Sequence, residues 1–370
     1  MSPLIPLSRR ARLVAVLTPL AVLAASAVAI APASAASTEW HVPRCGDVAG
    51  APVSFTWSDG AELAKAPHPV PVTYTHVAAL AETNTLLAAT SQSILRSTDA
   101  GCTWQELAAP GFLAQYDVAA AGDVAYIYGI NNQPIYRVSG TDVTEVSGPV
   151  LGDGSAGFAV DPTDPNHLVA VDKTGQVFES SDGGAAWTAT GTPAGGTGRF
   201  AYDAAIDPAN LSHVVVGTLS HGTWVSFDGG MTWQASAGFG VPGRANGFSV
   251  AVSPADPETV WAEGYDLTQS GNGARQIWLS RDGGLSFVSV LDGNQVTLFN
   301  GTPLWPSPAD ADVLYFDFGT SFGGYGTDIY KYNAATQRIT VNHNSYDDVS
   351  SIVFNPANPQ LMYLGLVEER

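Results

Sequence analysis

Lysine is almost missing from this 370-residue chain: only Lys65, Lys173 and Lys331 occur, against 34 aspartates and glutamates and a net charge of −19. Nucleic acids and anionic membranes recruit proteins through clustered Lys and Arg, so the balance argues against both as partners. Cysteine is equally scarce. Cys45 and Cys102 stand alone, without the histidine spacing that a zinc site needs, and in an exported chain such a pair is most simply a disulfide. Long helical periodicity is absent too, with 39 glycines and 24 prolines distributed along the chain. No EF-hand spacing, HExxH helix, GxSxG elbow or phosphate loop occurs. No metal site and no cofactor are expected.

Long hydrophobic runs are lacking as well, with one exception. Leu13 to Ile30 follows the basic residues Arg9, Arg10 and Arg12 and leads to Ala33-Ser34-Ala35, which reads as a signal peptide over 1–35 cleaved before Ala36. Pro19 and the small residues that follow it suit a leader better than a membrane anchor. The Arg9-Arg10 pair leaves open which export route is used. Removing the three arginines takes the net charge from −19 to −22. A secreted, extracellular, acidic protein is therefore expected.

What the chain does have is short Val-, Tyr-, Phe- and Trp-rich runs separated by turn clusters, the pattern of an all-β protein. Four segments share one template: Ser97 to Trp104 (STDAGCTW), Ser180 to Trp187 (SSDGGAAW), Ser226 to Trp233 (SFDGGMTW) and Ser280 to Phe287 (SRDGGLSF). Asp at the third position can accept hydrogen bonds from its own turn, Gly at the fifth supplies a positive φ, and the final aromatic packs on neighbouring strands. Asp99, Asp182, Asp228 and Asp282 therefore read as structural. A second recurring element lies ahead of the later boxes and near the end of the sequence: AVDPTDPNHLVAV from Ala159, AIDPANLSHVVVG from Ala205, AVSPADPETVWAEG from Ala251 and VFNPANPQLMYLG from Val353. Each unit reads as strand, Pro-containing turn, strand, loop, strand, box turn, strand.

Four such strands make one propeller blade. The expected blades span 74–108, 112–147, 155–190, 199–236, 247–292 and 295–342, the second and last being degenerate. Val349 to Leu366 supplies only two further strands, and Pro52 to Lys65 resembles the missing pair. The expected domain is therefore a single propeller over 36–370, with 52–65 completing the last blade beside 349–366. The ring has seven blades in this reading, six being the alternative, and a Cys45–Cys102 bond would tie the closing segment to the first blade.

The boxes SxDxGxTW and the blade grammar resemble the Asp-box (BNR) propeller superfamily, which includes sialidases, xyloglucan-active glycoside hydrolases and photosystem II assembly-factor propellers, across nearly all of the mature chain. The resemblance implies architecture, with the box turns away from the ligand-binding mouth. The arginine motif that marks sialidases is missing, since Arg44 lies in VPRCG. Xyloglucan-active enzymes pair two propellers around a cleft, and this chain holds one. Some secreted propellers of this style modulate extracellular proteases. The function expected is a non-catalytic scaffold, a monomer, that binds an extracellular protein, a protease among the candidates, or a glycan; the alternative is a glycoside hydrolase acting on an extracellular polysaccharide.

The mouth would be built by the loops between second and third strands and those between blades. It would carry His221, the insertion from Gly264 to Gln276 with Tyr265, Asp266 and Arg275, the aromatics Phe322 and Tyr325, and Tyr346 and Asp348. Aromatic and polar groups together suit sugar stacking or a peptide contact. For hydrolysis, Glu263, Asp266 and Asp317 are the acids to test first, since a glycosidase needs two carboxylates about 5 to 9.5 Å apart.

Overall fold

A computed structural model of the chain describes residues 53–56, 75–110, 116–129, 134–151, 154–196, 198, 200–240, 243–319, 326–344 and 348–367. Cys45, Phe322, Tyr325, Tyr346, the leader and the expected strand at the end of 52–65 lie outside these residues.

The described strands follow one another as short antiparallel meanders. The first sheet is β2 (His76–Ala79), β3 (Leu86–Ala89), β4 (Ile94–Ser97) and β5 (Gln105–Ala108). The second is β6 (Tyr116–Ala121), β7 (Val124–Gly129), β8 (Ile135–Ser139) and β9 (Asp142–Val146), and the third is β10 (Ser155–Val160), β11 (Leu168–Asp172), β12 (Val177–Ser180) and β13 (Thr188–Thr190). The fourth is β14 (Ala201–Ile206), β15 (Val214–Thr218), β16 (Gly222–Ser226) and β17 (Gln234–Ala235). One parallel pair, Gly222 with Asn246, links it to the fifth, which is β18 (Ala245–Val252), β19 (Val260–Asp266), β20 (Arg275–Ser280) and β21 (Val288–Asp292). The sixth is β22 (Leu304–Pro306), β23 (Val313–Gly319), β24 (Thr327–Asn333) and β25 (Arg338–Asn344). The seventh sheet has three described strands: β26 (Asp348–Phe354), β27 (Leu361–Val367) and, from the other end of the chain, β1 (Val53–Thr56). β1 pairs antiparallel with β27, Val53 opposite Leu364 and Thr56 opposite Leu361.

The second strands explain why the sequence folds this way. Leu86 to Ala89, Leu168 to Asp172 and Val214 to Thr218 are buried along their whole length. They are flanked by strands on both edges and packed on both faces, so they read as continuous apolar runs without alternation. The fourth strands β5, β13 and β17 are short and largely exposed. The apolar core is accordingly divided into clusters that lie between successive sheets. Leu87, Ile94, Tyr116 and Ile127 join the first sheet to the second, Val171, Ala201 and Val216 join the third to the fourth, and Trp261, Leu314 and Tyr332 join the fifth to the sixth. Leu361 and Tyr363 of β27 pack with Val77, Leu86 and Leu95, which brings the last sheet back against the first.

Two boundaries differ from the sequence reading. The insertion from Gly264 to Gln276 is strand at both ends, because β19 and β20 continue pairing through Gly264 with Gln276 and Tyr265 with Arg275. Only 267–274 forms the loop, closed by a 3-10 turn at Asn272–Ala274. In the sixth sheet, regular pairing begins at Leu304 rather than near Gln295.

The Asp-box turns repeat one bonding scheme between the third and fourth strands. In the fourth sheet, Ser226 Oγ donates to Asp228 Oδ1 at 2.8 Å and accepts the Gly230 N–H at 2.8 Å, while Asp228 also accepts the N–H of Thr232 at 2.8 Å and its hydroxyl at 2.6 Å. Ser97, Ser180 and Ser280 bond Asp99, Asp182 and Asp282 in the same way at 2.8, 2.9 and 2.7 Å. Asp182 receives no hydroxyl bond from the seventh position because Ala186 stands there. Two successive residues, the fourth and fifth of the box, take positive φ: 69° and 83° at Gly229 and Gly230, and 59° and 93° at Ala100 and Gly101. The fourth-position N–H of each box then reaches the turn between the first and second strands, as from Gly183 to the Asn166 carbonyl at 2.9 Å and from Gly283 to Glu258 at 2.8 Å. Both turns therefore occupy one end of the sheet. The final aromatic reaches backwards along the chain. Trp187 Nε1 donates to Ser147 O and Trp233 Nε1 to Thr192 O, both at 2.8 Å, each tying its box to the sheet before it.

Candidate interaction face

At the opposite end of the strands, where first strands begin and second strands finish, the seams between successive sheets are closed by polar groups. His76 Nδ1 on β2 lies 3.1 Å from Asp117 Oδ1 on β6. Lys173, one residue past β11, donates to the Tyr202 carbonyl on β14 and sits 5.7 Å from the centre of the Tyr202 ring. Asp203 Oδ2 accepts the Val250 N–H of β18 at 2.9 Å. Glu263 Oε2 on β19 accepts the Gly301 N–H, just ahead of the sixth sheet, at 3.0 Å. Asp317 on β23 faces Asp348 on β26. Ser350 Oγ donates to the Thr75 carbonyl at 2.6 Å, and the Val77 N–H donates to Ser351 Oγ at 3.2 Å, joining the seventh sheet to the first. The seam between the second and third sheets is bridged differently. There Tyr128 stacks on Phe158, with ring centres 4.6 Å apart and planes at 21°.

Burial makes several of these acids weak. Loss of solvent outweighs the Gly301 N–H and pushes Glu263 up to about 8, and it outweighs the Val250 N–H and the Lys173 charge to bring Asp203 to about 6. Burial and then the Asp348 charge hold Asp317 well above the carboxylate range. Asp317 and Asp348 thus meet as a carboxyl pair, in which a proton on one can be donated to the other. Asp117 goes the other way. Burial raises it, but His76 and the bonds from Val118 and Tyr128 outweigh that and hold it below the ordinary range.

The acids named for hydrolysis each have their own set of partners. Glu263 is fully buried against Gly301, and Asp317 against Asp348. Asp266 forms its own turn, accepting the Thr268 N–H at 2.9 Å, the Thr268 hydroxyl at 2.6 Å and Gln269 Nε2 at 2.8 Å. Burial pushes its carboxyl up, yet these bonds hold it below the ordinary range. Tyr265 and Arg275 are brought together, the guanidinium 5.5 Å from the ring centre, and Arg275 Nε donates to Asn300 Oδ1 at 3.0 Å. His221 is exposed on the β15–β16 turn, its Nδ1 3.1 Å from the Leu219 carbonyl. Asp117, Tyr128, Lys173 and Asp203 were missed by the sequence reading. Their signal was a charged residue at the mouth end of an otherwise apolar strand, as in YDVAAA and AYDAAI.

With this geometry, the chain aligns with the dispase autolysis-inducing protein of Streptomyces mobaraensis, 44% identical over 357 residues that cover 94% of this chain and 95% of that protein. The chain belongs to the dispase autolysis-inducing protein family. No protein-family model matches it. Among solved structures, the hydrazine synthase of Kuenenia stuttgartiensis superposes with a TM-score of 0.56 at 12% identity, over 82% of this chain and 94% of that one. YCF48 bound to the D1 peptide gives 0.53 at 11%, over 88% and 99%. An ancestral GH74 enzyme gives 0.54 at 15%, over 85% of this chain and only 45% of that enzyme. At these identities the structures establish the fold alone, a propeller of the kind the repeats pointed to.

Proposed function

We propose that this member of the family is exported and acts outside the cell as a non-catalytic monomer that binds an extracellular protease and promotes its self-cleavage, using the mouth end of a seven-bladed ring. The kinship carries the reading: 44% identity over nearly the full length of both chains, with a relative named for inducing autolysis of dispase. The mouth supports it, because its buried acids serve as clasps between neighbouring sheets and leave the rims between them as a surface for protein contact. Ring closure by β1 is part of the same proposal, since it removes the exposed sheet edge that the seventh sheet would otherwise present. A Cys45–Cys102 bond would hold that segment in place. Peptide mass mapping of secreted protein without reduction should recover the linked peptides; free thiols at both positions would sink that part.

The functional test is incubation of dispase with the purified chain, following intact protease by electrophoresis and fragment masses. Full-length protease should disappear faster than with heat-denatured chain. An unchanged time course overturns the proposal. Release of reducing sugar from xyloglucan by the same preparation would overturn its non-catalytic part.

A further inference from the structure

The geometry points to a docking groove for an apolar peptide segment flanked by basic residues, at the seam between the second and third sheets. It deepens the reading above by giving the chemistry of the protease segment that is engaged, and rests on that reading only for the partner's identity. Among the described residues every other seam at the mouth end carries a hydrogen bond, an ion pair or a carboxyl pair; here the two sheets meet through the Tyr128–Phe158 stack, and a cavity of about 400 Å³ lies beside it, with Ser147, bonded by Trp187 Nε1, on its lining. Its walls are Ile135, Val146, Pro149 and Leu151, and Val150 on its rim is 92% exposed. A groove of this size accommodates one or two aliphatic or aromatic side chains.

Charge decides what flanks them. Among the described residues lining the cavity there is no lysine, arginine or histidine, and Glu145 on that lining is exposed. Beside the cavity the Tyr128 hydroxyl donates to Asp117 Oδ2 at 3.0 Å, a carboxylate that His76 and the Val118 N–H already occupy. The groove thus offers an apolar trough with the exposed Glu145 carboxylate on its lining, in a chain of net charge −19. An acidic segment would be repelled there, whereas Lys or Arg beside an apolar residue meets an opposite charge.

The test uses the full secreted chain and two blocked tetrapeptides, lysyl-leucyl-phenylalanyl-arginine and its analogue with glutamates at both ends, measured by titration calorimetry. The basic peptide should bind at least about tenfold more tightly than the acidic one, weaken with added salt, and lose about tenfold in the variants Val150→Lys and Glu145→Lys, both at exposed positions that the fold does not depend on. His221→Ala, on another sheet, should leave it unchanged. Equal binding of the two peptides, or full binding by V150K, overturns the groove. The dispase time course separates this from the broader proposal. If V150K loses the peptide yet still promotes self-cleavage at the wild-type rate, the groove is not where the protease docks and the inference fails while the function stands. If the wild type binds the basic peptide and leaves dispase unchanged, the groove stands and the function fails.

Discussion

Asp228 and Glu263 lie in neighbouring sheets at opposite ends of their strands, and their carboxyl groups are driven in opposite directions. Asp228 is near solvent and is surrounded by donors from its own turn, Thr232 first, which hold it below its ordinary value. Glu263 is fully buried with a single N–H on one oxygen, and burial carries it to about 8. Asp99, Asp182 and Asp282 are likewise lowered at the Asp-box end, and Asp203 and Asp317 are raised at the mouth, where Asp117 and Asp266, supplied with several donors, are the exceptions and stay low. One end uses carboxylates as local turn-formers, which require the charged state. The other uses acids as clasps across a dry seam, which tolerate the neutral one.

The two ends should therefore respond to opposite extremes of pH. A raised acid binds its proton in the folded chain at pH values where the unfolded chain has lost it, so its contribution is complete below the unfolded value and disappears as pH rises through the folded one. For Glu263 this window runs from 4.5 to about 8. Replacing it by glutamine, which stays neutral, should produce the largest effect: urea unfolding of wild type should lose on the order of 4 kcal/mol across the window, and E263Q should flatten that slope. An unaltered slope would mean that Glu263 is ionised in the folded protein. Asp203→Asn should flatten a smaller part, on the order of 3 kcal/mol, between 3.8 and about 6.

At the Asp-box end the sign is reversed. Lowered carboxyls contribute above 3.8 and lose that contribution as pH falls, as far as about 2 for Asp161, whose side chain accepts the N–H and hydroxyl of Thr163 in the neighbouring turn. Ser226→Ala removes a buried hydroxyl that donates to Asp228 and accepts from Gly230, and should cost about 1 to 2 kcal/mol with no pH dependence above 5, read from the same unfolding curves. Asp182→Asn should give the smallest change of the set, since that box already lacks the hydroxyl bond from its seventh position. A larger loss in D182N than in S226A would invert the comparison within this end and show that charge, rather than the serine bridge, organises the turn.

The two ends were not equally legible in the sequence. Box turns are short-range: Ser97, Asp99, Gly101 and Thr103 bond one another within a few residues, so spacing alone announces them, and four copies divide the chain into sheets. Strand pairing followed because the Pro-containing turns and boxes bracket each strand. The mouth depends on contacts between residues far apart in the chain, such as Asp203 with Val250 and Glu263 with Gly301. Asp266, expected on a polar loop, is occupied by Thr268 and Gln269, whereas Asp203, which the sequence reading did not single out, bridges two sheets.

By itself, then, the sequence determined the all-β class, the repeat and the turn chemistry, because each depends on residues within one hydrogen-bonded loop of each other. Tertiary structure decided which carboxyls are buried, which oppose a partner from the next sheet, and where one seam holds a cavity beside Tyr128 and Phe158. Those outcomes follow from how neighbouring sheets are packed together, and burial and distance across a seam are properties that no local spacing carries.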